Sequence, residues 1–287
     1  MSLPTDFHFS QGSLQDFADC PRRFQLRYLL QIAWPAVPAE PLLENEHRQR
    51  LGQQFHLLLQ QHLLQVPLER LQAMAQSDAH LAQWWHAYLT AQPAALPGLH
   101  LPEVALSAPL NLPGRENTWR LVAQFDLLVL TDDGRALLFD WKTSQHRPPR
   151  RWLQQRLQTR VYPWLLMQAG SEWLSGEALP AERIEMVYWF ANFPDRPERL
   201  AYSRAQAQAD EAWLHGLVER IALLAAATDD FPLTSDENQC RFCVYRSLCQ
   251  RGVQAGSAAH AGEDDYRDYE ADTTLELDFE QITEVAY

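Results

Sequence analysis

Asp140, Trp141 and Lys142 stand at the end of an apolar run, Ala136 to Trp141 (ALLFDW). Residues two apart on a strand project to the same face, so a carboxylate and an ammonium would stand side by side there. The chain's 24 lysines and arginines include a single lysine, Lys142. Wherever only positive charge is needed, this protein uses arginine. Lysine differs in offering a compact ammonium that its surroundings can tune. Asp126 lies in the preceding apolar run, Trp119 to Leu130 (WRLVAQFDLLVL), where it can face the same pocket. Glu103 precedes the first expected strand, and His56 lies on a long amphipathic segment. Phosphodiester hydrolysis needs such a set: carboxylates hold a hard divalent cation, the cation activates water, and a nearby ammonium stabilises the charge that develops on phosphorus. An Asp-x-Lys pair alone is a weak signal, because acids at strand ends are common and pair with whatever cation is near.

The elements that must position these groups follow from periodicity. The chain to about Leu110 reads as mainly helical, with helix formers from Ser13 to Leu30, an amphipathic stretch from Glu44 to Leu64, and Leu81 to Leu89. Pro93, Pro97 and Gly98 interrupt it. Strands are expected at Val104 to Leu110, Trp119 to Leu130 and Ala136 to Trp141. The last two are joined across Asp133-Gly134 as a hairpin. Arg151 to Gln168 returns to helix with an irregularity at Pro163. Ile184 to Phe193 and Glu198 to Ser203 read as strands, and Ala205 to Ala227 as a long helix. The expected class is α/β (α+β), a central mixed sheet flanked by helices.

These motifs, in this order, resemble the PD-(D/E)XK nuclease superfamily in its RecB-like branch. Gly52-x-x-x-His56 resembles the helical histidine motif and Glu103 the first acidic motif. Gln124-Phe125-Asp126 resembles the second, with Gln where the family usually has Gly. Asp140-Trp141-Lys142-Thr143 resembles the Asp-Tyr-Lys-Thr signature, and Gln158 to Tyr162 the Gln-x-x-x-Tyr helix motif, whose i, i+4 spacing puts both side chains on one face. The resemblance implies a restriction-endonuclease-like fold. It implies that His56, Asp126, Asp140 and the Trp141 carbonyl hold Mg²⁺ or Mn²⁺. It further implies that Lys142, with Asp140, Asp126 and Glu103, is catalytic, and that Gln158 and Tyr162 contact DNA or brace the site. The implied activity is metal-dependent DNA hydrolysis, with an exonuclease acting on single strands or DNA ends as the leading expectation. A non-catalytic DNA- or helicase-binding module is the alternative.

The four cysteines are Cys20, Cys240, Cys243 and Cys249. One lies near the start and three near the end, which reads as a metal site before disulfides. Four thiolates suit zinc or an iron–sulfur cluster. The one-plus-three arrangement resembles that of iron-staple nucleases, the AddB-type subunits and the iron–sulfur nucleases of CRISPR adaptation. That resemblance implies a 4Fe-4S cluster, with Zn²⁺ as the alternative, stapling the C-terminal segment to the N-terminal helix.

The organisation expected is a nuclease domain over 1–254 and an acidic flexible tail over 255–287. The domain divides into a helical portion at about 13–98, a catalytic core at about 99–227 and a cysteine segment at 228–251. The formal charge of -13 would not by itself suggest DNA. From Gly252 onward, however, there are ten acidic residues and one arginine, so most of that charge sits in the tail. No apolar run spans a bilayer and no signal peptide is read at the start, so a cytoplasmic location is expected. A P-loop is excluded because the one lysine follows Trp141, so any ATP-driven unwinding must come from a separate helicase or a repair or CRISPR-adaptation partner. Trp84, Trp85 and Tyr88 read as core. Arg147, Arg150, Arg151 and Arg156 read equally as phosphate contacts or as a solvated helix start.

Overall fold

The hairpin is the centre of the molecule. A computed structural model describes residues 2–33, 40–112, 118–170, 179–241 and 243–252. Phe242 and the expected acidic tail lie outside them. The hairpin strands are β3 (Arg120–Thr131) and β4 (Ala136–Lys142). Between them the amide of Gly134 donates to the Thr131 carbonyl (2.8 Å) and that of Thr131 to the Arg135 carbonyl (2.9 Å). Gly134 has φ +79, and a Cβ there would lie 2.7 Å from the Arg183 guanidinium, so both backbone and space favour glycine.

Around the hairpin, the described residues form a six-stranded mixed sheet. The remaining strands are β1 (His8–Ser10), β2 (Gly98–Pro109), β5 (Ile184–Phe190) and β6 (Glu198–Ala201). One edge of β3 pairs with β2 along its whole length, antiparallel. The other edge is shared. Leu127 to Leu130 pair antiparallel with β4, and Arg120 to Val122 pair parallel with β1. β4 then leaves β3 and pairs in parallel with β5 as far as Lys142 opposite Phe190. The last β3–β4 pair is Leu127 with Phe139, so the strands part where Asp126 and Asp140 would come next. This fork carries the site.

Helices cover both faces. On one lie α1 (Gln11–Asp19), which the one-turn α2 (Pro21–Phe24) follows in the chain, α7 (Leu157–Ala169) and α8 (Arg204–Ala227). Leu14, Val161, Leu165 and Leu217 pack there against Phe125, Leu138, Met186 and Tyr188. On the other face are α3 (Glu40–Leu63), α4 (Leu68–Ala75) and α5 (Ala79–Ala91). Phe55, Leu58, Trp85 and Tyr88 pack there against Leu127, Phe139, Trp141 and Trp189. Trp84, Trp85 and Tyr88 are thus core residues. Between the sheet strands β4 and β5, the chain crosses over through α6 (Arg150–Gln155) and α7, as a parallel pair requires. No described helix is long and apolar enough to cross a membrane.

The architecture agrees with the expected mixed sheet flanked by helices and is consistent with a restriction-endonuclease-like fold. Several boundaries differ for physical reasons. Strand β2 starts at Gly98, ahead of the expected Val104, and includes Pro102. Among the described residues β2 pairs with β3 alone, and an outer strand of this kind tolerates proline. The helix expected from Arg151 to Gln168 breaks at Arg156 (ψ 141), not at Pro163. Thr159 Oγ1 donates to the Leu153 carbonyl (2.6 Å), replacing a helical bond the break removes. The strand from Ile184 ends at Phe190, where the Phe193 amide turns back to the Phe190 carbonyl (2.9 Å). Helix α4, two turns long, and the three-residue β1 are too short for their periodicity to stand out.

Phe55 is fully buried, lies edge-on to Trp84 and stacks near Trp189, fixing α3 on the sheet. Phe55→Ala is expected to destabilise the fold by about 3–5 kcal/mol, measured by urea unfolding.

Candidate active site

Asp126 fills the fork left by the parting strands. Beyond the Leu127–Phe139 pair the Trp141 amide has lost a backbone acceptor on β3, and Asp126 Oδ2 accepts it at 2.7 Å. A carboxylate thereby replaces one rung of the ladder, and its other oxygen faces α3. There His56 Nδ1 lies 3.3 Å from Asp126 Oδ1, while His56 Nε2 lies 2.9 Å from the Trp141 carbonyl. Both ring nitrogens therefore face oxygens: one can donate its proton, while the other, when deprotonated, is free to share a cation with the oxygen it faces. Gly52, one turn earlier on α3, keeps this approach open, since a Cβ there would lie 3.3 Å from Thr143 Oγ1.

Glu103 reaches the same place from β2. It stands opposite Asp126 in the β2–β3 register, between the Pro102–Leu127 and Val104–Phe125 pairs. Its φ is +51, a left-handed conformation that is costly for a residue with a side chain and that concentrates at functional sites. The alternation of the two strands breaks at this level. On β3, Phe125 packs on the α7 face and Leu127 on the α3 face; on β2, Leu101 and Val104 both reach the α7 side. The result is a group of three, His56, Glu103 and Asp126, with one ligand atom from each within 4.8 Å of the others. Among the described residues no other such group of His, Cys, Asp or Glu is found.

Asp140 and Lys142 sit beside this group, on the α7 face. Lys142 Nζ is 2.9 Å from Asp140 Oδ2, and both side chains are almost wholly buried, at 8% and 4% exposure. Gln158 donates to Asp140 Oδ1 and also lies 3.3 Å from the Tyr162 hydroxyl. The i, i+4 pair on α7 thus braces the carboxylate of β4. The Lys142 ammonium lies 6.0 Å from the Tyr188 ring centroid, and the Tyr188 hydroxyl is 2.7 Å from Thr159 Oγ1. The structure therefore brings His56, Glu103, Asp126 and the Trp141 carbonyl together. It engages Asp140 with Lys142 and Gln158.

Charge is crowded here. Burial, and then the neighbouring Asp126, push Glu103 up to about 7 against the pull of His56. Burial raises Asp140 to about 6 although Lys142 opposes it. Burial also acts to raise Asp126, but His56, the Trp141 amide and Lys142 outweigh it and hold that carboxyl below its ordinary value. One acid favoured as the anion beside two that resist ionising is a site short of positive charge. The donors fit a hard divalent ion: carboxylate oxygens, a backbone carbonyl and one imidazole.

Some contributors carry no sequence signal. Asn192, beyond β5, donates to the carbonyls of Thr143 and Ser144 (3.0 Å each) and accepts from the Trp84 indole (3.0 Å). It fixes the segment leaving Lys142. Gln124 donates to Glu103, at 2.9 Å to Oε2. Of the four arginines after β4, Arg147 and Arg150 both engage Glu198. Arg156 lies over the Trp152 ring at 4.6 Å, and Arg151 is exposed.

The cysteines form a second neighbourhood. None is in a disulfide; Cys20 is buried, and Cys240, Cys243 and Cys249 are half-buried. Burial raises the last three thiols, and the proximity of Cys20 raises each further. Residues more than two hundred positions apart are thus neighbours. The chain ends meet through other bonds as well. The Gln25 amide donates to the Asp229 carbonyl (2.6 Å), the Phe231 amide to Gln25 Oε1 (2.9 Å) and the Tyr245 hydroxyl to the Ile32 carbonyl (3.0 Å).

Comparison with known proteins adds two findings. The family model of the PD-(D/E)XK nuclease superfamily matches residues 8–250. The crystal structure of SSO0001 is similar at 16% identity and a TM-score of 0.41, over 86% of this chain and 87% of that one. No curated protein matches.

In metal-free buffer the unfolded chain releases the Glu103 proton near 4.5, whereas the folded protein keeps it to about 7. The folded state then binds more protons, so stability falls as pH rises through that window. Asp140 contributes in the same direction between 3.8 and about 6. Unfolding measured in EDTA from pH 4 to 8 is expected to show this decline, and Glu103→Gln to flatten its upper part.

Proposed function

Because the chain belongs to the PD-(D/E)XK nuclease superfamily, a family of metal-dependent phosphodiesterases, we propose that it is a Mg²⁺- or Mn²⁺-dependent deoxyribonuclease. Its substrates in this reading are single-stranded DNA or free duplex ends, met in repair, recombination or processing of foreign DNA. The observation that carries it is the joining of His56, Glu103 and Asp126 into one ligand group beside a buried Lys142–Asp140 pair.

His56, Glu103, Asp126 and the Trp141 carbonyl would hold the ion, with Asp140 at its margin. When bound, it supplies a lowered pKa for the attacking water and stabilises charge on the phosphate. Lys142 presents a compact donor, oriented by Asp140, toward a non-bridging oxygen of the scissile phosphate. Gln158 and Tyr162 keep Asp140 in place through that step. Trp141 buries its ring in the α3-side core, so its carbonyl is held rigidly at the fork. Arg151, which is exposed, is the arginine of this region offered to the DNA backbone in this reading.

Cys20, Cys240, Cys243 and Cys249 would hold a 4Fe-4S cluster with a structural role. The support is their shared neighbourhood and their complete use, with no cysteine left over. The nuclease domain in this reading runs to about 254 and is followed by the acidic tail, and ATP-driven unwinding belongs to a separate partner.

Labelled single- and double-stranded DNA with Mg²⁺ or Mn²⁺ should be cut by the wild type. Lys142→Ala is expected to lower kcat by roughly 100-fold or more, the scale of removing one transition-state donor. Equal cleavage by both would reject this site, and no cleavage by either would leave a DNA-binding module. End-blocked against free-ended substrates separates exonuclease from endonuclease action. Anaerobically purified protein should be brown, absorbing near ~400 nm, whereas colourless protein with stoichiometric zinc would replace the cluster by zinc.

A further inference from the structure

Glu103 is an unusual strand residue. A left-handed conformation inside a strand costs of order 1–3 kcal/mol, and it persists only where the surroundings impose it. A side chain in reach that holds both ends of the residue is Gln124 on β3. It pairs with Ala105, so it stands two positions along from Asp126 on the strand facing Glu103. Its amide nitrogen lies 2.9 Å from Glu103 Oε2 and 3.4 Å from the Glu103 carbonyl. One amide group thus grips the carboxylate and the backbone of the same residue. Without it, the flexible Glu103 side chain has three rotatable bonds along which to leave His56 and Asp126.

We propose that Gln124 is a positioning residue that holds Glu103 in the ligand group and so sets the affinity of the site for its divalent ion. The inference rests on the metal-dependent reading above. Gln124 does not touch the reacting atoms. By donating to Oε2 it leaves the other carboxylate oxygen for the ion and fixes its direction. A glutamine suits this better than a charged residue. Lysine or arginine would neutralise the ligand, and glutamate would repel it. Partners that orient metal ligands in this way are commonly worth 10–100-fold in metal affinity, by about the factor expected of a hydrogen bond to a charged group.

The test is Mn²⁺ binding to the full-length, DNA-free protein, followed by electron paramagnetic resonance of the free ion, with activity as a second readout. Gln124→Met keeps the size and removes the donor. It is expected to bind Mn²⁺ roughly 10–100-fold more weakly and to need correspondingly more Mn²⁺ for half-maximal cleavage. Its KM for DNA at saturating Mn²⁺ should be unchanged, and its thermal unfolding should remain a single cooperative transition. Gln124→Asn, which keeps the amide but shortens its reach, is the second variant and should show the same loss. Combined with Glu103→Gln, neither should weaken binding beyond Glu103→Gln alone, because both act through one ligand. A folded Gln124→Met or Gln124→Asn protein with wild-type Mn²⁺ affinity overturns the inference while leaving the nuclease reading intact. A wild type that binds no Mn²⁺ overturns the metal site and this inference with it.

Discussion

The parting of β3 from β4 is the constraint on which the site depends. In a continuous hairpin the Trp141 amide would bond to the β3 backbone, and Asp126 would sit on one face of an unbroken sheet. Here the amide bonds to the Asp126 carboxylate instead. That exchange opens a gap in the sheet through which groups from opposite faces meet. His56 comes from α3, on one face, and touches the Trp141 carbonyl. Gln158 and Tyr162 come from α7, on the other, and hold Asp140. An intact ladder would have kept these groups a sheet's thickness apart.

A gap in a sheet exposes polar backbone and costs stability, so it must be held open from outside. Tight packing on both sides does this. Phe55, Trp84, Tyr88, Trp141 and Trp189 interlock on the α3 face, and Phe125 meets Tyr162 on the other (4.9 Å). Glu103 bends β2 at the same register level, and Asn192 pins the chain beyond Lys142. Rigid aromatic walls and a strained backbone are what allow several carboxylates to be kept close together against their mutual repulsion. Such a site gains most from a cation, which links the fold to the chemistry it is built for.

The arginine-rich composition fits this picture. Arginines work as structural clamps in many places: Arg147 and Arg150 on Glu198, Arg23 on Asp16 and Asp19, Arg160 on the buried Asp210. Their flat, multi-donor heads suit bridging between elements. Lys142 is placed where a fork would be too large. It is buried beside Asp140 and close to the Tyr188 ring, a space for a compact ammonium.

Much of this was legible from the sequence because it depends on local geometry. The two-residue period of a strand put Asp140 and Lys142 on one face, the helical period paired Gln158 with Tyr162, and Asp133-Gly134 marked the turn that brings Asp126 across from Asp140. These follow from covalent geometry and need no knowledge of the rest of the chain. Other features depend on where elements finally pack. The left-handed turn at Glu103, its hold by Gln124, the clamp by Asn192, the break at Arg156 and the meeting of Cys20 with the C-terminal cysteines are not properties of any short segment. Local pattern determined which residues could do chemistry. Only the tertiary structure, by splitting two strands and packing both faces around the gap, decided that His56, Glu103 and Asp126 would share one place while Asp140 turns to Lys142.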